Sequence, residues 1–164
     1  MSGYPADSIL EVFVNRTKAN LKLIEQEVDK SGKDKTAQNA YEVTQLLNSL
    51  FGLLILPEQK YHSKLGKIKD GQVPIFVKCI KKAKEEYKTL NYQNAMEHLR
   101  NAVCHPQHME ILPPQGDITQ IVLRDFYDGH EYFCVRLEID ELKYLVFELC
   151  EVLTKTIQEL NGDL

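Results

Sequence analysis

Apolar residues recur at Leu10, Phe13, Val14, Leu21, Ile24 and Val28, a spacing close to the helical repeat that predicts an amphipathic helix. Ser8 stands three residues before Glu11, the spacing of a capping box in which each side chain satisfies an orphan backbone donor of the other. The helix is expected over residues 8–30, ending at the breakers Ser31-Gly32-Lys33-Asp34. A second helix is predicted over 36–56. From Leu46 onward it is apolar almost all round, through Leu47, Leu50, Phe51, Leu53, Leu54, Ile55 and Leu56. Such a helix must be covered on more than one side, so one face is assigned to the core and the surplus to a subunit interface. Pro57 is expected to close it.

Residues 58–73 lack apolar periodicity and contain Gly66 and Asp70-Gly71, which reads as a lysine-rich loop. Pro74, suited to a first helical turn, opens a third predicted helix over 74–89 with Ile75, Phe76, Cys79, Ile80, Ala83 and Tyr87 on its buried stripe. Asn91 caps a fourth, over 91–105, carrying Ala95, Met96, Leu99, Ala102 and Val103 inward. After Pro106 the period changes from helical to alternating. Two β-rich runs flank Asp128-Gly129, a strong hairpin signal, placing a β-hairpin over 118–139 with a short third strand near Met109–Leu112. Asp140 is expected to cap a last helix over 140–160, with Leu142, Leu145, Val146, Leu149, Leu153 and Ile157 along one side. The fold class is mainly α: a bundle of four to five helices with a small antiparallel β-hairpin before the last helix. A length of 164 residues with 43% hydrophobic content fits one domain.

Composition narrows the function. The longest apolar run, Leu50 to Leu56, is far below the ~20 residues of a membrane span, and no signal-peptide pattern precedes it, so a cytoplasmic protein is expected. The four cysteines, Cys79, Cys104, Cys134 and Cys150, form no close pair and are read as reduced, with Cys104 a buried thiol. A formal charge of −4 argues against a general nucleic-acid coat. It is unevenly spread, however: between Glu58 and Lys88 nine lysines face four acids, a net of +5 that leaves −9 elsewhere. Lys64, Lys67 and Lys69 within that stretch are candidate RNA contacts, as are His98 and His108.

The chemistry concentrates in Leu99-Arg100-Asn101-Ala102-Val103-Cys104-His105-Pro106. An always-charged phosphate binder beside a group titrating near neutral pH is a minimal kit for metal-free attack on RNA. Five helical steps of ~100° would leave Arg100 and His105 about 140° apart. Pro106 offers the remedy, because a residue before proline is pushed out of the α region, which lets His105 swing off the helix end. Three nearby imidazoles also invite zinc, yet no cysteine pair completes a set of four ligands, so no metal or cofactor is expected. As an alternative, an arginine and a histidine at a helix C-terminus can simply cap carbonyls.

A mostly helical chain with Arg100-Asn101 and His105 closing a late helix resembles the HEPN superfamily, and the Glu42–Pro57 segment is similar to the second helix of bacterial and plasmid-borne HEPN-like proteins. The resemblance implies a helical bundle that homodimerises with its motifs facing each other, here through Leu46–Leu56 and the motif helix. It also implies a metal-independent endoribonuclease with Arg100, Asn101 and His105 as catalytic residues. In that scheme His105 takes the proton of a ribose 2′-hydroxyl, which attacks the adjacent phosphorus while Arg100 binds the developing charge. Toxin or defence roles, with an antitoxin protein as partner, belong to the same implication. A catalytically silent module binding RNA, a nucleotide or a protein is the alternative. Some relatives carry a modifiable tyrosine two places after the histidine; here that place is Gln107.

Overall fold

Residues 6–31, 35–65 and 92–162 are described by the computed structural model, and the predicted periodicities become four helices and three strands. Helix α1 spans Ala6–Ser31 and α2 spans Lys35–Leu65; α3 is Tyr92–Cys104 and α4 is Ile139–Gly162. Strands β1 (Met109–Leu112), β2 (Gln120–Tyr127) and β3 (His130–Glu138) lie between α3 and α4. The fold is therefore mainly α with a small antiparallel sheet before the last helix. The helix expected over 74–89, with Cys79, lies outside the described residues, as does the lysine-rich stretch beyond Leu65; residues 58–65, expected as its loop, belong to α2 instead.

The apolar stripes set the packing. Leu10, Val14 and Leu21 of α1, Leu46, Leu50 and Leu53 of α2, and Leu142, Leu145 and Leu149 of α4 are all buried in one core. Phe13 of α1 reaches α2 at Gly52, where even a single added Cβ would stand 2.3 Å from the ring tip. The surplus apolar side of α2 faces outward, with Phe51 and Leu56 exposed and Leu47 and Ile55 half-buried.

Two helix boundaries differ from expectation. Pro57 does not end α2, which continues to Leu65. A proline inside a helix removes one hydrogen bond and crowds the turn before it, at a cost of about 3 kcal/mol. With Leu46, Leu50, Leu53 and Leu54 packed just upstream, the helix is already nucleated, and each further turn forms at low cost. At the other boundary Asp140 is not the cap of α4. Strand β3 runs straight into the helix, and Glu141 Oε2 accepts the Glu138 backbone N–H at 3.1 Å, the backward half of a capping box. Asp140 and Glu141 instead place negative charge in the first turn, where the helix dipole favours it.

The sheet has the order β1-β2-β3 with both pairings antiparallel. Asp128 and Gly129 join β2 to β3 with φ of 49° and 75°, the pair of positive angles of a type I′ turn. One face of the sheet, with Ile121, Leu123, Phe133, Val135 and Leu137, enters the core, and α3 lies against β2. That contact positions the motif.

Candidate functional site

Helix α3 stops at Cys104 and the chain turns at once into a single 3-10 turn, Pro106–His108. His105 between them has φ −118° and ψ 103°, the extended conformation that the following proline demands. Its carbonyl accepts the His108 N–H at 2.8 Å, which fixes the turn. The His105 side chain is exposed, and its ring stands 5.0 Å from that of His108. His108 packs in turn against Phe126 of β2 at 4.9 Å, with Nδ1 buried and without a hydrogen-bond partner.

The helix itself carries the second half of the arrangement. His98 and Asn101 are three residues apart and therefore neighbours on one face. Both reach the same carboxylate oxygen of Asp125 on β2: His98 Nδ1 lies 2.8 Å and Asn101 Nδ2 3.0 Å from Oδ2. An ionised carboxylate only accepts, so His98 carries its proton on Nδ1. The His98 ring also stacks on Phe133, with centroids 5.3 Å apart and planes within 7°. Arg100 precedes Asn101 on the helix, and its Nε and Nη2 donate to Asn101 Oδ1 at 3.2 and 2.8 Å. Guanidinium, amide, carboxylate and imidazole thus form one continuous chain, half-buried except at Asp125, which is 7% exposed.

The two remaining arginines near the sheet are differently occupied or placed. Arg124 Nη2 bonds Glu110 at 2.8 Å and its Nε lies 3.5 Å from Glu131, tying all three strands on the outer face. Its pKa is raised, chiefly by the Glu110 hydrogen bond and against some burial. Arg136 is exposed on β3.

Of the expected site residues, Arg100 and Asn101 are brought into direct contact. His105 and His108 meet each other, and His98 joins Asn101 through Asp125. Lys67 and Lys69 lie outside the described residues, as does the side chain of Lys64. Cys104 is exposed, which corrects the expectation of a buried thiol. It sits on the last helical residue, where the chain is leaving the core. Among the described residues no group of three or more histidine, cysteine or acidic side chains could hold a metal ion, and no helix is long and apolar enough to cross a membrane.

Sequence reasoning missed Asp125 and Phe126. Asp125 was detectable in principle: with period two, Ile121, Leu123 and Asp125 share a strand face, and a carboxylate on an apolar face demands partners. No curated protein and no solved structure matches the chain. The sequence model described as HEPN pEK499 p136 matches residues 1–160, covering the helices, the sheet and the Arg100–His105 motif together. The chain belongs to the HEPN pEK499 p136 family.

Proposed function

We propose that this HEPN protein is a metal-independent endoribonuclease in which Arg100, Asn101 and His105 are the catalytic residues. The reading is carried by one observation: Arg100 is bonded to Asn101, which is itself bonded to a sheet carboxylate, while five residues on His105 leaves the helix with its ring exposed. A neutral imidazole takes the 2′-hydroxyl proton, the resulting oxygen attacks the phosphorus, and the guanidinium stabilises the charge that develops on the phosphoryl oxygens. The products are a 2′,3′-cyclic phosphate and a 5′-hydroxyl, the latter formed when the leaving oxygen receives a proton.

The acid for that last transfer is assigned to the His105 of a second copy, with the protein acting as a homodimer. Phe51 and Leu56, exposed on α2, are the apolar surface through which the copies would meet, together with the motif helix. His98, His108, Lys64, Lys67 and Lys69 are assigned to RNA contact in the same reading, and a toxin or defence role with an antitoxin partner follows from the activity.

The test is cleavage of single-stranded RNA in excess chelator. Wild type should release cyclic-phosphate ends, and His105→Ala and Arg100→Ala should each lose on the order of 10²-fold or more, as expected for positioned acid–base and charge-stabilising groups. RNA retained by wild type without cleavage would overturn the catalytic reading in favour of a silent binding module. Growth arrest on expression, relieved by Arg100→Ala, would support the toxin role.

A further inference from the structure

The proposed chemistry leaves the buried carboxylate of Asp125 unused. Asp125 follows Ile121 and Leu123 on the core-facing side of β2 and is itself buried, where a carboxylate is tolerated only if it has donors. Its Oδ2 receives two, from His98 and Asn101. The consequence follows from the polarity of an amide. A carboxylate accepts and cannot donate, so Asn101 must present Nδ2 to Asp125. Its Oδ1 is thereby turned the other way, where Arg100 Nε and Nη2 both donate to it. Reversed, the amide would offer its NH₂ group to a cation that has no acceptor.

Resting on the ribonuclease reading, we propose that Asp125 is the positioning residue of this site, fixing the Arg100 guanidinium through the orientation of Asn101. The backbone around it is built for that task. Phe133 stands opposite Asp125 and Glu131 opposite Phe126, which leaves Tyr132 with no partner across the ladder. A bulge of this kind redirects the side chains beside it. The His98 ring lies flat on Phe133, the residue paired with Asp125, so the second donor is itself held in place. Orientation therefore passes from the sheet to the motif helix, and the hairpin has a part in the site that the motif alone does not reveal.

Asp125→Asn keeps the volume and removes the acceptor-only character. Its expected effect is a loss of kcat on the order of 10²-fold for chelator-resistant RNA cleavage, the scale of an ångström of misplacement, with KM changed less than about threefold. In an Asn101→Ala background the same substitution should have no further effect. A readout independent of catalysis is the Arg100 Nε–Hε resonance in nitrogen-15 NMR. It should shift, and its exchange with solvent should quicken, in both Asp125→Asn and Asn101→Ala, the latter serving if the former does not fold. An unmoved resonance, or a loss on adding Asp125→Asn to Asn101→Ala as large as the loss on adding it to wild type, overturns the positioning role. If wild type cleaves no RNA while the resonance still moves, the positioning role stands and the nuclease reading falls.

Discussion

The seam between α1, α2 and α4 and the junction between α3 and the sheet are both packed, but they put polarity in opposite places. In the seam the interior is largely aliphatic, with the uncharged Thr17 and Cys150 as exceptions, and charge stays at the rim. Lys143 on α4 reaches Glu25 on α1 at 2.6 Å and Glu42 on α2 at 3.6 Å. Burial works against the Lys143 charge, yet the two carboxylates outweigh it and its pKa is raised. Cys150, inside the seam, has its thiol pushed up to about 12 by burial, so it behaves as a small apolar residue. At the junction a carboxylate and an amide are turned inward and bonded to each other. A buried polar network contributes little net stability but fixes geometry, because each member has few alternative partners. The contrast teaches that the seam holds the fold and the junction specifies the site.

The largest effect should come from breaking the seam. Leu50 is fully buried, so Leu50→Ala removes its side chain from the core and leaves a cavity, at a cost of about 2–5 kcal/mol. For a chain of this size that lowers the melting temperature by roughly 10 °C, measurable by calorimetry. Below that temperature chelator-resistant cleavage should persist. Asp125→Ala should do the reverse. Leaving two donors at the junction without their acceptor costs about 1–3 kcal/mol in urea unfolding, while cleavage falls far more than that loss of folded protein explains. Equal losses of stability and activity in both variants would erase the distinction.

The two regions also differ in how far the sequence discloses them. The seam is legible because burial of a helix face imposes a period, and Leu10, Val14, Leu46, Leu50, Leu145 and Leu149 keep it. The Asp128-Gly129 turn is legible for the same reason of local chemistry, since only such residues take two successive positive φ angles at low cost. Pro57 misleads because local rules weigh its lost hydrogen bond but not the packing of the turns upstream. At the junction, Arg100, Asn101 and His105 are visible as a motif, and Pro106 gives the extended His105. Asp125 is remote in the chain from its partners, so its role depends on which strand lies under α3, a tertiary fact.

A smaller effect is expected on the outer side of α2. Phe51→Lys with Leu56→Lys alters exposed positions, so the stability of the folded chain should change by no more than about 0.5 kcal/mol per site. The same pair should convert the proposed dimer to monomer in light scattering and lower cleavage if the second His105 is the acid. A monomeric wild type, or a double variant that remains dimeric, would remove this surface from the proposal. Cleavage unchanged in a monomeric variant would place the acid within one chain.

The smallest effect belongs to the rim of the seam, where Lys18 of α1 bonds Glu151 of α4. That hydrogen bond is the chief cause of a Glu151 pKa below its ordinary value of 4.5, with burial opposing it and Lys18, Lys155 and Lys22 adding attraction. The folded state therefore favours the carboxylate over the acid. The contribution is whole above pH 4.5 and is lost as pH falls through the lower folded value. Because the Glu151 side chain is half exposed, solvent screening limits the contribution to at most about 1 kcal/mol, less in high salt. Glu151→Gln should accordingly lower the urea midpoint slightly at neutral pH and flatten its decline in acid, converging with wild type once the Glu151 carboxylate is protonated. Cleavage at neutral pH should not change, since this ion pair bonds α1 to α4 and has no bond to the α3 network. A fall in cleavage would mean that the seam transmits its geometry to the junction, and the division of labour between the two regions would have to be withdrawn.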